Sequence, residues 1–154
     1  MDDGTAERQR LIPLIRRLTG ELEQLGHAFA KKHALHPTNV RALMLIMDAA
    51  RDGDPVTPGD LARRLGLTTA AVSSLLERLE QAGHVHRHAA PGDRRRVHLE
   101  VADEAMDLAG AYFRPLGTRL TEAMRDYSPQ DVAAIERFLD DMIREISAYR
   151  EETS

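Results

Sequence analysis

The chain has 154 residues and a net charge of −4, enough length for one domain with a sizeable core but not for two independent ones. It has no cysteine, which excludes disulfide bonds, thiolate metal sites and thiol redox sensing. Aromatic residues make up only 4%, so the core must be built from aliphatic side chains, which suits packed helices. The N-terminus is polar rather than signal-like, and the longest apolar run, residues 42–47, is too short to span a bilayer. A cytoplasmic protein is therefore expected.

The first predicted element is a long amphipathic helix over residues 6–32. Its apolar residues recur at three- and four-residue steps, which is the spacing of one helical face: Leu11, Leu14, Ile15, Leu18, Leu22, Leu25 and Phe29. A second, mostly buried helix is predicted over residues 37–50, and residues 51–54 form a turn. Pro55 and Val56 are expected to form a short strand beside a later hairpin.

Residues 57–83 predict two short helices joined by a tight turn. Thr57 is placed to cap the first helix, with Pro58 at its first position, and Gly66 suits the left-handed residue that ends it. Thr68 is the next cap. The apolar residues Val72, Leu75, Leu76 and Leu79 mark the buried side of the second helix. This order is helix, turn, helix.

A β-hairpin is predicted directly after these helices. Its strands are expected over residues 84–89 and 95–101, and the intervening Ala-Pro-Gly-Asp segment has strong turn chemistry. Arg94, Arg95 and Arg96 follow this turn. Three guanidinium groups at a hairpin tip suit a phosphate backbone or a narrow minor groove, whereas one alone would indicate only a solvated loop.

The C-terminal third predicts two further long helices. Apolar stripes continue through residues 105–124 and 135–149, and Pro115 is expected to kink the first of these helices about one turn upstream. The helix-turn-helix and its hairpin, residues 57–101, cannot cover three long amphipathic helices by themselves. We therefore expect the terminal helices to form a two-fold dimer, with an intramolecular bundle as the alternative.

Charge is distributed unevenly along the chain. Residues 57–100 hold seven arginines against five acidic residues, although the chain as a whole is acidic. Because DNA binding depends on the local patch of charge, the net charge does not argue against a nucleic-acid partner.

The second helix of a helix-turn-helix places its N-terminal half against base edges in the major groove. Here the outward side carries small hydroxyl and methyl groups, which form weakly selective contacts with bases: Thr68, Thr69, Ala70, Ser73 and Ser74. Arg78 lies further along this helix. A phosphate contact and an ion pair with a nearby carboxylate are both open for it.

Three segments carry a resemblance to the MarR family of bacterial transcription regulators: LARRLGLT, VSSLLERLEQAGHVHR and PGDRRRVHLEV. The resemblance implies a mainly α (α+β) fold and one domain over residues 1–154. Within it, residues 35–101 would form a winged helix-turn-helix, and residues 6–32 and 103–150 the helices of a dimerisation region. It also implies a sequence-specific homodimeric repressor that binds a palindromic operator in double-stranded DNA and is released by a small ligand, often aromatic.

The resemblance also assigns roles to the wing residues. Arg95 matches the family's minor-groove arginine, held by Asp93 or a neighbour, with Arg94 and Arg96 adjacent. Arg87 matches a basic position on the strand, where it either contacts DNA or orients the wing. Ser74 stands where many relatives have a longer polar or basic side chain, so base readout by this helix is expected to be sparse.

The effector pocket implied by the resemblance would lie where the first, second and fifth predicted helices meet the winged part. The candidate lining residues are Phe29, His33, His36, Met44, Met47, Tyr112 and Phe113. For each of them, ordinary core packing or a solvated surface position is the alternative.

Three other functions are weighed against DNA binding. No cofactor or metal is expected, because the spacing of His27 and His33 puts them on different faces of one helix. No enzyme is expected either, since no nucleophile elbow, Walker loop, dinucleotide fingerprint or zinc-protease motif is present. A winged helix that binds protein instead of DNA would not need three arginines at its wing tip.

Overall fold

The computed structural model describes residues 3–90 and 92–153, and leaves the side chains of residues 3, 4, 94 and 95 undescribed. The elements in chain order are α1 (Asp3–Gln9), α2 (Leu11–Lys32), α3 (Pro37–Arg51), α4 (Pro58–Leu65), α5 (Thr69–Gln81), β1 (Val85–Ala90), β2 (Asp93–Val101), α6 (Asp103–Ala123) and α7 (Pro129–Glu152). The predicted fold class, mainly helical with one small antiparallel sheet, is confirmed. The chain divides into two compact units, Met1–Tyr112 and Phe113–Ser154.

The N-terminal helix is not continuous as predicted. It is interrupted at Arg10, where α1 ends and α2 begins. Pro13 explains the interruption, because it has no N–H to donate to the carbonyl of Gln9 and its ring crowds that carbonyl. The predicted apolar stripe begins at Leu11, after the break, so a pattern based on hydrophobicity alone does not indicate it.

The second hairpin strand is longer than the sequence predicts, whereas the first has the predicted length and begins one residue later. β2 begins at Asp93, so Arg94–Arg96 belong to the strand. Gly92 has a φ of +83°, a conformation that glycine adopts without strain. An irregularity in the pairing lies between Ala89 and Ala90.

The third strand predicted at Pro55 and Val56 does not form, and the sheet of the described residues has two strands. Val56 accepts one hydrogen bond from the backbone N–H of Leu99, at 3.0 Å. Its neighbours have no donor to extend the ladder: Pro55 lacks an N–H, and the N–H of Thr57 is given to the Asp60 carboxylate.

The core of the first unit lies between α3, α4, α5 and the hairpin. Each of the elements around it contributes at least one of the largest fully buried side chains: Ile46, Val56, Leu61, Val72, Leu76, Leu79, Val85 and Leu99. The predicted buried side of α5 is therefore confirmed. Since both strands contribute to this core, the hairpin is packed on the helices that precede it.

Long helices of both units expose apolar side chains. On α2, Leu14, Leu18 and Leu22 are each more than half exposed, and α7 has no buried residue along its whole length. Ile143 and Ile146 on α7 are about 60% exposed. None of the described helices is long and apolar enough to cross a membrane.

Candidate nucleic-acid interface

The first helix of the motif, α4, begins with a reciprocal cap. The Thr57 hydroxyl accepts a hydrogen bond from the backbone N–H of Asp60 (3.2 Å), while the Asp60 carboxylate accepts one from the N–H of Thr57 (3.1 Å). The hydroxyl and backbone N–H of Thr57, and then Arg63, lower the pKa of Asp60 below its usual range. Gly66 ends α4 in the left-handed conformation, with a φ of +67°. These local bonds fix the direction in which the chain enters the turn before α5.

The recognition helix α5 packs on the core through its apolar side, and the outward side of its N-terminal half is exposed. Thr68 caps it by accepting the backbone N–H of Ala71 at 3.2 Å, as the sequence predicts. The residues predicted to face DNA are exposed, except that Ser73 is half-buried: Thr68, Thr69, Ala70, Ser73, Ser74 and Arg78. The outward surface is therefore a row of small hydroxyl and methyl groups.

Arg78 extends this surface by about one turn of helix. It is exposed, and no ion pair among the described residues includes it. Of the two roles left open by the sequence, the ion pair is thus not seen here. A phosphate contact remains a prediction.

Two arginines of the wing, Arg96 and Arg87, have different surroundings. Arg96 is exposed on β2, whereas the side chains of Arg94 and Arg95 lie outside the described part of the chain, so their predicted contacts stay predictions. Arg87 on β1 does not project freely. Its Nε lies 2.9 Å from the Oε2 of Glu80, in the last turn of α5. Glu80 is a residue that the sequence analysis did not single out.

The opposite face of the hairpin is a histidine surface. His88 lies across from His98, with ring centroids 6.4 Å apart, and His86 lies across from Glu100. The Nδ1 of His88 is 3.5 Å from a carboxylate oxygen of Glu100. Among the residues described, no group of three or more metal-ligating side chains is arranged to hold an ion.

The candidate effector residues fall into separate environments. Phe29, His33 and Tyr112 form one aromatic cluster, with centroid distances of 4.6 Å for Phe29–His33 and 5.0 Å for Phe29–Tyr112. The Lys32 ammonium lies 5.3 Å from the centre of the Tyr112 ring. The Nε2 of His33 is buried without a hydrogen-bond partner among the described residues.

His36, Met44 and Met47 lie in other environments. His36 caps α3, because its Nδ1 accepts the backbone N–H of Thr38 at 3.2 Å. Met44 is exposed on α3, and Met47 lines a shallow cleft with Met106 and the end of β2. Phe113 is half-buried and belongs to the second unit.

A helix-turn-helix that shares its core with an arginine-bearing hairpin defines a winged helix-turn-helix protein. A family model described as the MarR family matches residues 35–96. The transcriptional regulator YcgE of Bacillus subtilis, which is itself uncharacterized, is 30% identical over 128 residues, covering 83% of this chain and 80% of YcgE. The chain therefore belongs to the MarR family: it is a DNA-binding transcriptional regulator and not an enzyme.

Two further relatives add to this comparison. The transcriptional repressor YetL of Bacillus subtilis is 25% identical over 82% of this chain and 74% of YetL. The fold is similar to that of a mutant of MepR from a multidrug-resistant clinical isolate of S. aureus, with a TM-score of 0.71 and 19% identity over 88% of this chain and 96% of that one. A complex of MepR with DNA has a TM-score of 0.55 at 20% identity, over 86% of this chain and 97% of that chain.

Proposed function

We propose that this protein is a homodimeric repressor that binds a palindromic operator and is released by a small ligand. The observation that carries the proposal is the exposed N-terminal side of α5 beside the wing, both built on one buried core. MepR is crystallised with DNA and YetL is named a repressor, which supports the same function here. The relatives are bacterial proteins, so we expect this regulator to act in the cytoplasm, where their DNA lies.

The DNA contacts follow from the chemistry of each surface. α5 offers Ser, Thr and Ala side chains, which can contact several different bases. This row of hydroxyl and methyl groups therefore discriminates only weakly between base pairs. Arg94–Arg96 would supply affinity through phosphates and a narrow minor groove. Sequence preference would then depend strongly on groove shape near each wing.

Selection from a library of randomised duplexes tests this proposal. Two recognition helices related by a two-fold axis read half-sites separated by about one helical turn, roughly 10 base pairs centre to centre. We expect the recovered duplexes to contain a palindrome with that spacing. A pool that stays random after repeated rounds would contradict sequence-specific binding.

A dimer is supported by exposed apolar side chains on long helices of both units. Leu14, Leu18 and Leu22 on α2 are 54–55% exposed, and Ile143 and Ile146 on α7 are 63% and 60% exposed. Contiguous apolar faces of this kind mark interaction surfaces rather than solvated ones. We propose residues 6–32 and 103–150 as the dimerisation part and residues 35–101 as the DNA-binding part.

Sedimentation at micromolar concentration tests the dimer with one pair of variants. Ile143→Glu would place a charge in the proposed interface and is expected to give a monomer. Glu145→Lys, at an exposed position on the same helix, is the matched control and should remain dimeric. A wild-type protein that sediments as a monomer throughout would rule out the dimer.

The effector proposal comes from the family resemblance, and we propose one aromatic cluster of this chain as its site. The rings of Phe29 and Tyr112 lie next to His33, whose Nε2 has no hydrogen-bond partner among the described residues. This combination suits an aromatic ring with a hydroxyl group. A panel of simple phenols should release the selected duplex from the wild type and less effectively from Tyr112→Leu. Equal release from both proteins would place the effector elsewhere.

A further inference from the structure

The ion pair between Arg87 and Glu80 joins two elements that must reach DNA together. Both side chains are about one-third exposed, 34% for Arg87 and 33% for Glu80. Other pairs, such as Arg144 with Asp141, join neighbouring turns of a single helix, and their arginines are about two-thirds exposed. The Arg87–Glu80 pair is thus better shielded from solvent and connects the wing to the recognition helix.

The register of the hairpin explains why Arg87 reaches α5. Val85 pairs with Val101 and Arg87 pairs with Leu99, while alternate residues of a strand share one face. Val85 and Leu99 are each 1% exposed in the core, so Arg87 lies on the inward face. The histidines at 86 and 88 lie on the outer face. Strand alternation therefore directs the guanidinium group at the end of α5.

The position of Arg87 along β1 determines which part of the wing the ion pair can orient. The base of the wing is fixed by the buried side chains of Val85 and Leu99. Arg87 lies two residues nearer the tip than Val85 and pairs with Leu99 across the hairpin, and the next inward position of β1, Ala89, is exposed and has too short a side chain for an ion pair. Since an isolated two-stranded hairpin is only marginally stable, its outer half takes its orientation from contacts of this kind.

We infer that Arg87 is a positioning residue, whose ion pair with Glu80 sets the angle between the wing and the recognition helix. This rests on the proposed DNA-binding function. The Glu80 carboxylate neutralises the Arg87 guanidinium, so Arg87 adds no net charge for a phosphate. It acts on DNA through the placement of Arg94–Arg96 instead.

A double-mutant cycle separates positioning from direct contact. The probe is the fluorescein-labelled duplex of highest affinity from the selection, titrated by anisotropy at several salt concentrations. The proteins are the wild type, Glu80→Gln, Arg87→Gln, the double variant and the exchanged pair Glu80→Arg with Arg87→Glu. Glu80→Asp is added because it keeps the charge but shortens the side chain.

Positioning predicts that Glu80→Gln, Arg87→Gln and Glu80→Asp each weaken binding about threefold, within the range of an exposed ion pair. The double variant should be no weaker than either single variant, because both remove the same interaction. The slope of affinity against salt should stay at the wild-type value, and the exchanged pair should recover most of the loss. Melting curves recorded by circular dichroism confirm that each variant is folded at the temperature of the titration.

A phosphate contact by Arg87 predicts the reverse pattern and would overturn the inference. Arg87→Gln would then lower the salt slope by about one, Glu80→Gln would leave affinity unchanged or raise it, and the exchange would not restore binding. Unchanged affinity in all variants would overturn it as well. If the wild type itself binds no duplex, the proposed function fails and this inference with it, whereas additive losses with normal wild-type binding reject the inference alone.

Discussion

The backbone N–H of Leu99 donates to the carbonyl oxygen of Val56 at 3.0 Å, and both residues are 1% exposed. This bond joins the second strand of the wing to the segment that leads into α4. The wing and the helix-turn-helix therefore share one core, and we expect a change in that core to affect both proposed DNA-contacting surfaces.

Leu99→Ala should lower the free energy of unfolding by about 2–5 kcal/mol, because it leaves a cavity where three elements meet. Urea unfolding monitored by circular dichroism measures this. Leu67→Ala is the control, since Leu67 is 37% exposed in the turn after α4, and we expect it to cost less than about 1 kcal/mol. Similar losses in the two variants would contradict the shared core.

Asp60→Asn should lower stability at neutral pH by about 1 kcal/mol, the usual contribution of a helix cap. The hydrogen bonds from Thr57 lower the pKa of Asp60 in the folded protein. Its carboxylate therefore stabilises the fold above the pKa of the unfolded chain, about 3.9, and this contribution disappears as the pH falls through the lower, folded pKa.

The difference between wild type and Asp60→Asn should thus narrow below about pH 4. Urea midpoints measured from pH 7 to about pH 2.5 test this narrowing. Asp131 also has a lowered pKa, from its hydrogen bonds with Ser128, but it is present in both proteins and cancels in the difference. Asp54→Asn, at an exposed position, serves as the control, and a difference that widens in acid would contradict the assignment.

Gly66→Ala should destabilise the protein by about 1 kcal/mol, because the residue has a φ of +67° and alanine is strained there. Gly59→Ala is matched to it at the other end of α4. A Cβ atom at Gly59 would lie 3.8 Å from the Thr57 Oγ1, an ordinary contact, and φ there is not positive. Thermal melts should show a lower Tm for Gly66→Ala alone; equal shifts would mean that φ is not the cause.

The helix-turn-helix was predictable because its signals are local. Thr57, Gly66 and Thr68 each satisfy backbone groups within a few residues, and the apolar side of α5 has a regular period. Such features depend on neighbours in the chain, so a single sequence contains them. The same holds for the hairpin, which its Pro-Gly turn indicates.

Other features depend on contacts between residues distant in sequence, or on a backbone N–H that a proline lacks. The break at Arg10 comes from Pro13, which interrupts hydrogen bonding without disturbing the apolar stripe. The Arg87–Glu80 pair depends on the angle at which β1 leaves α5, which no local pattern specifies. The grouping of Phe29 with Tyr112 likewise joins helices far apart in the chain.

The central claim is that the wing arginines bind DNA beside α5, and one salt-dependent titration tests it most directly. The selected duplex is titrated by anisotropy against the wild type, Arg95→Ala and Arg125→Ala, the last an exposed arginine already paired with Glu122. We predict that Arg95→Ala weakens binding by at least about tenfold and flattens the salt dependence, while Arg125→Ala matches the wild type. An Arg95→Ala protein with wild-type affinity and wild-type salt slope would contradict the account.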